Sequence, residues 1–123
     1  SVRVHGLDGA FLREVDLPGV GSASGFDGRE GDRETFYSFA SFRQPPTVLR
    51  YDIESGASSV WRAPKLAFDP EQFTTEQVFY RSKDGTRVPM FLTYKKGLER
   101  NGSNPTLLFG YGGFNISLTP NFR

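Results

Sequence analysis

The chain has 123 residues, enough for one small domain, and its 37% hydrophobic content is low for a compact unit of that size. The formal net charge is +1 with the signs interspersed, which argues against a nucleic-acid footprint and against a polybasic membrane patch. Cysteine is absent, which excludes a disulfide framework and a thiolate metal site, and no apolar run approaches the length of a membrane span.

Fourteen glycines and eight prolines imply many turns and short elements. No long window carries apolar residues at helical spacing, so strands are expected almost throughout. SVRVHGLDGAFLREVDLPG (1–19) predicts two short strands around an Asp8-Gly9 turn. The polar, glycine-rich VGSASGFDGREGDRET (20–35) predicts a loop. TFYSFASF (35–42) has strand composition suited to burial on both faces, and Pro45-Pro46 ends it. In TVLRYDI (47–53), Thr47, Leu49, Tyr51 and Ile53 fall on one face, with Val48, Arg50 and Asp52 on the other. Ser55-Gly56 makes a turn, and SSVWRAP returns. VRVHGLDGAFLREVDLP and VLRYDIESGASSVWRAP share the order strand, turn, strand, proline, with Pro18 and Pro64 standing 46 residues apart. A period of roughly 40–50 residues is that of four-stranded propeller blades. Two ordinary hairpins would produce the same pattern.

Beyond Pro64 the character changes. KLAFDPEQFTTEQ (65–77) is polar, with an Asp69-Pro70 turn signal, and is expected to be a linker. QVFYRSKDGTRVPMFLTYKKG (77–97) predicts a hairpin closed by Asp84-Gly85, with Val88, Met90, Leu92 and Tyr94 alternating against Pro89, Phe91, Thr93 and Lys95. Pro89 suggests an edge strand, since it has no N–H for a ladder. After the polar loop GLERNGSNP, the consecutive apolar residues Leu107, Leu108 and Phe109 suggest a strand covered on both faces. The chain is therefore expected to be a piece of a larger α/β domain.

That strand runs into Gly110-Tyr111-Gly112-Gly113-Phe114-Asn115. Glycines permit positive φ and close backbone approach. A glycine-rich turn after an inner strand is where an α/β-hydrolase places part of its oxyanion hole. Acyl transfer develops negative charge on a carbonyl oxygen, and a backbone N–H or a tyrosine hydroxyl can meet it. The stretch is not a phosphate loop, lacking both the lysine and the G-x-G-x-x-G spacing. On spacing alone a plain turn is the favoured explanation, since glycine-rich turns are common. Other clusters have simpler readings. Asp27, Glu30, Asp32 and Glu34 are interrupted by Arg29 and Arg33 and fit a solvated loop better than a calcium site. Lys95, Lys96 and Arg100 fit a wet hairpin end. Trp61 beside Arg62, and the stripe Phe36, Tyr37, Phe39 and Phe42, fit packing between and within blades.

SKDGTRVPMFLTYKKG (82–97) followed by NPTLLFGYGGFNISLTPNF (104–122) resembles the prolyl oligopeptidase family of serine peptidases. ETFYSFASFRQPPTVLRYDIESG (34–56) looks like the end of that family's propeller, and the likeness runs through most of the chain. The resemblance implies a mostly β fragment. Residues 1–66 would be the C-terminal part of a seven-bladed β-propeller, and 67–123 the opening strands of an α/β-hydrolase domain. It implies a parent enzyme that cleaves short peptides on the carboxyl side of proline through a Ser-Asp-His triad. Tyr111 falls on the family's oxyanion tyrosine and Phe114 on an aromatic wall of its proline pocket. Flat apolar rings suit a pyrrolidine, which asks for no hydrogen bond. No metal or organic cofactor is implied, nor a nucleic-acid or membrane partner. The parent is expected to be monomeric and cytoplasmic, with the periplasm as the alternative. The oligopeptidase B branch, which cleaves after basic residues, departs from the motif after Gly112. A non-catalytic propeller binding module is the reading from another class.

No Gly-x-Ser-x-Gly elbow occurs in the sequence. The resemblance places the triad outside this chain and assigns no triad role to His5, the only histidine, or to Ser103 and Ser117. The chain on its own is expected to be inactive. It is also expected to leave sheet edges and apolar faces uncovered, and so to aggregate or fold poorly in isolation. Sedimentation velocity combined with a thermal melt tests this: self-association and a broad melt are expected, and a monomer with a sharp cooperative transition would contradict it.

Overall fold

Two Asp-Gly turns show how this sequence builds its hairpins. In the computed structural model, which describes residues 1–122, the Gly9 N–H donates to the Gly6 carbonyl at 2.9 Å and the Gly85 N–H to the Ser82 carbonyl at 2.9 Å. Asp8 and Asp84 each accept at 3.0 Å from the N–H two residues on, that of Ala10 and Thr86 respectively. Gly9 and Gly85 take φ of +85° and +84°, a region a Cβ would disfavour. The turns join β1 (Arg3–His5) to β2 (Phe11–Glu14), and β7 (Phe73–Arg81) to β8 (Arg87–Lys95).

The chain between these hairpins forms an antiparallel four-stranded sheet in sequence order: β3 (Ser22–Asp27), β4 (Glu34–Ala40), β5 (Thr47–Asp52) and β6 (Ser58–Arg62). Of the expected repeat only the second copy lies in it: β5 and β6 are its last two strands, whereas β1–β2 form a separate two-stranded sheet with the same proline exit. Contacts divide the chain into two units, residues 1–66 with 120–122, and residues 67–119. No α-helix occurs among the described residues; a 3₁₀ turn at Pro70–Gln72, capped by the Asp69 carboxylate at 2.9 Å from the Glu71 N–H, leads into β7.

Residues 20–35 were expected to be loop, yet β3 lies within them. Its composition, Ser-Ala-Ser-Gly-Phe-Asp, has little strand propensity. Pairing with β4 imposes the strand, through a bulge at Gly25–Asp27 that puts Phe26 at φ +70°. Residues 73–76, assigned to a linker, are the first part of β7, paired in register from Phe73↔Lys95 to Arg81↔Arg87. The strand expected at Leu107–Phe109 is absent. Residues 105–110 join no ladder, and Leu107 and Leu108 are 92% and 83% exposed. A strand exists only against a partner, and no described segment pairs with this one.

The core belongs to the first unit. Tyr37, Phe39, Leu49 and Tyr51 project from one face of β4 and β5, and Val15 closes over them with Val2, Val4 and Leu17 half-buried around it. Each fully buried aromatic contributes roughly 2–3 kcal/mol. Phe26 stacks on Tyr37 at 4.5 Å between centroids, and the Tyr37 hydroxyl donates to Ser58 Oγ at 3.0 Å. β4 was expected to be covered on both faces; instead Phe36 lies on its open side, edge-on to the exposed Trp61 at 5.4 Å. Arg13 fastens the first hairpin to the sheet. Its Nε donates to the Tyr51 hydroxyl at 3.1 Å, Nη1 to the Glu54 carbonyl at 3.3 Å, and Nη2 to the Ile53 carbonyl.

No residue from 67 to 119 is buried among those described. β7 and β8 hold each other through cross-strand pairs instead. The Thr75 and Thr93 hydroxyls meet at 2.9 Å, the Arg87 guanidinium lies 3.9 Å above the Phe79 ring, and Glu76 accepts from the Tyr94 hydroxyl at 3.1 Å and from Arg100 at 2.8 Å. Among the described residues β8 has a single neighbour, which leaves Pro89 on an edge strand there.

Two predictions follow from these contacts. Arg13→Met keeps the apolar stem but removes the hydrogen bonds; in the full-length protein, amide exchange of residues 52–57 is expected to quicken by about fivefold, equivalent to about 1 kcal/mol, while β4 is unaffected. Equal acceleration across β4 would contradict a local fastening. In the second hairpin, the Thr86 N–H, then the Thr86 and Ser82 hydroxyls, hold the Asp84 carboxyl below its ordinary value. A lowered folded pKa stabilises the turn above the unfolded pKa of about 3.9, and this is lost as pH falls through the folded value. The Thr86 amide resonance in threonine-labelled protein is expected to titrate with a midpoint below about 3.9. A midpoint above that value would contradict the assignment.

Candidate functional site

The segment around the glycine-tyrosine motif lies in the second unit. Its order comes from local contacts. The Asn104 side-chain amide donates to the Glu99 carbonyl at 2.8 Å and the Thr106 hydroxyl to the Asn104 carbonyl at 3.0 Å, which ties the incoming chain to its own loop. One tight turn follows, closed by the Ile116 N–H donating to the Gly113 carbonyl at 3.1 Å. Its central residues Phe114 and Asn115 have φ of +53° and +56°. Two consecutive left-handed residues are the pattern of a type I′ turn, which asparagine tolerates and phenylalanine resists.

The glycines therefore do something other than expected. Among positive-φ residues the motif contributes Phe114 and Asn115, and none of Gly110, Gly112 and Gly113. A Cβ at Gly110 or Gly112 would meet nothing within 4 Å, whereas one at Gly113 would fall 2.9 Å from the Tyr111 hydroxyl oxygen and 3.1 Å from its ring carbon Cζ. The Tyr111 phenol thus folds back across the bare Cα of Gly113. Tyr111 is half-exposed, and its hydroxyl makes no hydrogen bond to another described residue. Phe114 is 92% exposed, its ring turned outward from the turn. A free hydroxyl donor and an accessible flat ring, three residues apart, can meet an oxygen acceptor and an apolar ring of a ligand respectively.

The segment 104–119 contains no charged side chain, so neither the phenol nor the ring faces a charge supplied by its own loop. The residues set aside as nucleophile or base candidates are elsewhere or isolated. His5 stands at the first hairpin turn, its Nδ1 3.1 Å from the Gly9 carbonyl and its ring edge-on to Phe11 at 5.7 Å. Ser103 and Ser117 lie exposed in irregular chain. Asp32 accepts from the Arg29 N–H at 2.7 Å, closing its own loop. Among the described residues no group of three or more His, Asp or Glu side chains converges on a point that could hold a metal. The contact that sequence reasoning missed is the one between Tyr111 and Gly113; the doubled glycine was its only trace.

Residues 1–64 match the model of the prolyl oligopeptidase N-terminal β-propeller domain. The chain belongs to the prolyl oligopeptidase family. It is 48% identical over 122 residues, 99% of its length, to prolyl endopeptidase of Elizabethkingia meningoseptica, and 45% identical over 98 residues to prolyl oligopeptidase ophP of Omphalotus olearius. Among solved structures, one from a study of two prolyl endopeptidases superposes with a TM-score of 0.85 at 47% identity, covering 98% of this chain and 18% of that one. Oligopeptidase B from Trypanosoma brucei superposes at 0.76 with 25% identity, covering 98% of this chain and 18% of that one. The chain spans 17% of the length of the Elizabethkingia relative and 13% of the Omphalotus one. The matched region is built of β-strands, and no described helix is long and apolar enough to cross a membrane.

Proposed function

We propose that this chain is part of a serine peptidase that cleaves short peptides on the carboxyl side of proline. Residues 1–66 are the closing part of a seven-bladed propeller and 67–123 the opening strands of an α/β-hydrolase domain, with the Ser-Asp-His triad on polypeptide outside the chain. The exposed apolar run Leu107–Phe109 is the inner strand of that domain, paired and covered only once the remaining strands are present. Support comes from the run itself: three consecutive apolar side chains left 59–92% exposed are costly in water.

Tyr111 supplies an oxyanion donor. When the nucleophile attacks the scissile carbonyl, the oxygen gains negative charge, and the phenolic O–H donates to it alongside a backbone N–H next to the nucleophile. Because the hydroxyl is not committed to another described residue, no hydrogen bond to one of them is given up when the oxyanion forms. Phe114 forms one wall of the proline pocket, its face packing against the pyrrolidine. The observation that carries the proposal is this pairing of an unbonded phenol and an accessible ring in one turn, on a chain 48% identical to a prolyl endopeptidase.

The oligopeptidase B-like reading expects the motif to depart after Gly112; this chain carries Gly113-Phe114-Asn115 there, which favours proline. The proposed enzyme needs no metal or organic cofactor, works as a monomer, and resides in the cytoplasm or, alternatively, the periplasm.

Tyr111→Phe in the full-length protein removes one donor while keeping the ring. Turnover of a prolyl amide substrate is expected to fall by about 10²–10³-fold, equivalent to about 2.7–4 kcal/mol, with little change in KM. Unchanged turnover would remove Tyr111 from the mechanism. Preferential cleavage after arginine or lysine would overturn the specificity.

A further inference from the structure

Of the three glycines in Gly110–Gly113, only Gly113 lies beneath a side chain. A methyl group there would sit 2.9 Å from the Tyr111 hydroxyl oxygen, 3.1 Å from Cζ and 3.4 Å from Cε1. Real Cβ atoms do not tolerate the first of these contacts, so something must shift. Gly113 has no positive φ, so its backbone conformation alone does not require glycine. The turn that follows is fixed: the Ile116–Gly113 hydrogen bond closes it at 3.1 Å, and its left-handed pair Phe114–Asn115 is already strained by a bulky residue. The Tyr111 side chain is half-exposed and unbonded, and so yields first.

We infer that Gly113 is a positioning residue for catalysis: the missing Cβ lets the Tyr111 phenol lie across the turn and sets where its hydroxyl points. The inference rests on the reading of Tyr111 as an oxyanion donor. It adds a reason for the second glycine of the pair that neither dihedral preference nor substrate contact supplies. A donor displaced by about 1 Å no longer meets the oxygen at its transition-state position, a misplacement that can cost about 10²-fold in rate. Ground-state binding, which rests on Phe114, is not touched by the same shift.

The test uses the full-length protein, with the folded monomer of each variant isolated by size exclusion and checked by circular dichroism, and kcat and KM measured on a prolyl amide substrate. Gly113→Ala is expected to lower kcat by about 10–100-fold with KM within about twofold of wild type. Gly112→Ala, where an added methyl meets nothing within 4 Å, controls for general loss of a glycine and should cost clearly less. The deciding arm is the double variant. In a Tyr111→Phe background, with no hydroxyl left to misplace, Gly113→Ala should cost less than about threefold. The same factor in both backgrounds overturns the positioning role and leaves the oxyanion reading standing. A Gly112→Ala cost equal to that of Gly113→Ala overturns it too. If Tyr111→Phe alone has no effect, the oxyanion reading falls and the inference falls with it.

Discussion

A β-sheet buries an apolar face only where a second layer lies on it, and this constraint separates the two parts of the chain. In the first unit the β1–β2 hairpin supplies cover for the four-stranded sheet. Val15 and its half-buried neighbours close over Tyr37, Phe39, Leu49 and Tyr51, and those aromatics become the core. Polar groups drawn into that layer are satisfied: the Tyr37 hydroxyl reaches Ser58, the Tyr51 hydroxyl receives Arg13, and the Thr35 hydroxyl donates to the Asp27 carbonyl at 2.7 Å. In the second unit β7 and β8 have only each other. Val78 opposes Met90 and Tyr80 opposes Val88, yet none of the four is buried. A two-stranded ribbon of that kind is marginal in water without further strands or a covering helix.

The same constraint decides how much of the fold could be read from residue order. Where local signal and tertiary cover agree, the reading was accurate. The alternation in 47–53 put Thr47, Leu49 and Tyr51 on the inward face, where they are buried; Ile53, assigned to the same face, lies past the end of β5 and is exposed. The Asp-Gly turns were visible because a carboxylate and a glycine meet the needs of a tight turn unaided. Where a strand is made by its neighbour, sequence was silent. Ser22–Asp27 has the composition of a loop and is a strand because β4 pairs with it. The converse held at Leu107–Phe109, whose apolar run predicts a covered strand that lacks a partner among the described residues. Phe36 and Trp61 are a milder case: both have strand character, but the side of the sheet they occupy is open.

Of the candidate site, the residue types were legible and their arrangement was not. Tyr111 and Phe114 stood out through their resemblance to family positions, and the glycines through their density. Flexibility was the obvious role for those glycines. In the structure the left-handed conformations fall instead on Phe114 and Asn115, and Gly113 serves by leaving space under the phenol. Such a contact joins residues only two apart, but its need for a missing Cβ depends on side-chain direction, which no periodicity encodes. The segment presents an aromatic ring outward and a half-exposed hydroxyl within the same few residues, so in the proposed reading binding and charge stabilisation share one local scaffold.

The central claim is that this hydroxyl meets the oxygen of an attacked amide carbonyl. The most direct measurement is a crystal structure of the full-length protein with a peptidyl-prolinal aldehyde, whose carbonyl forms a tetrahedral hemiacetal with the active-site serine. The account predicts the Tyr111 hydroxyl about 2.6–2.8 Å from the hemiacetal oxygen, with the proline ring against Phe114. A hemiacetal oxygen held by other donors, with the phenol turned away beyond hydrogen-bonding reach, would contradict it.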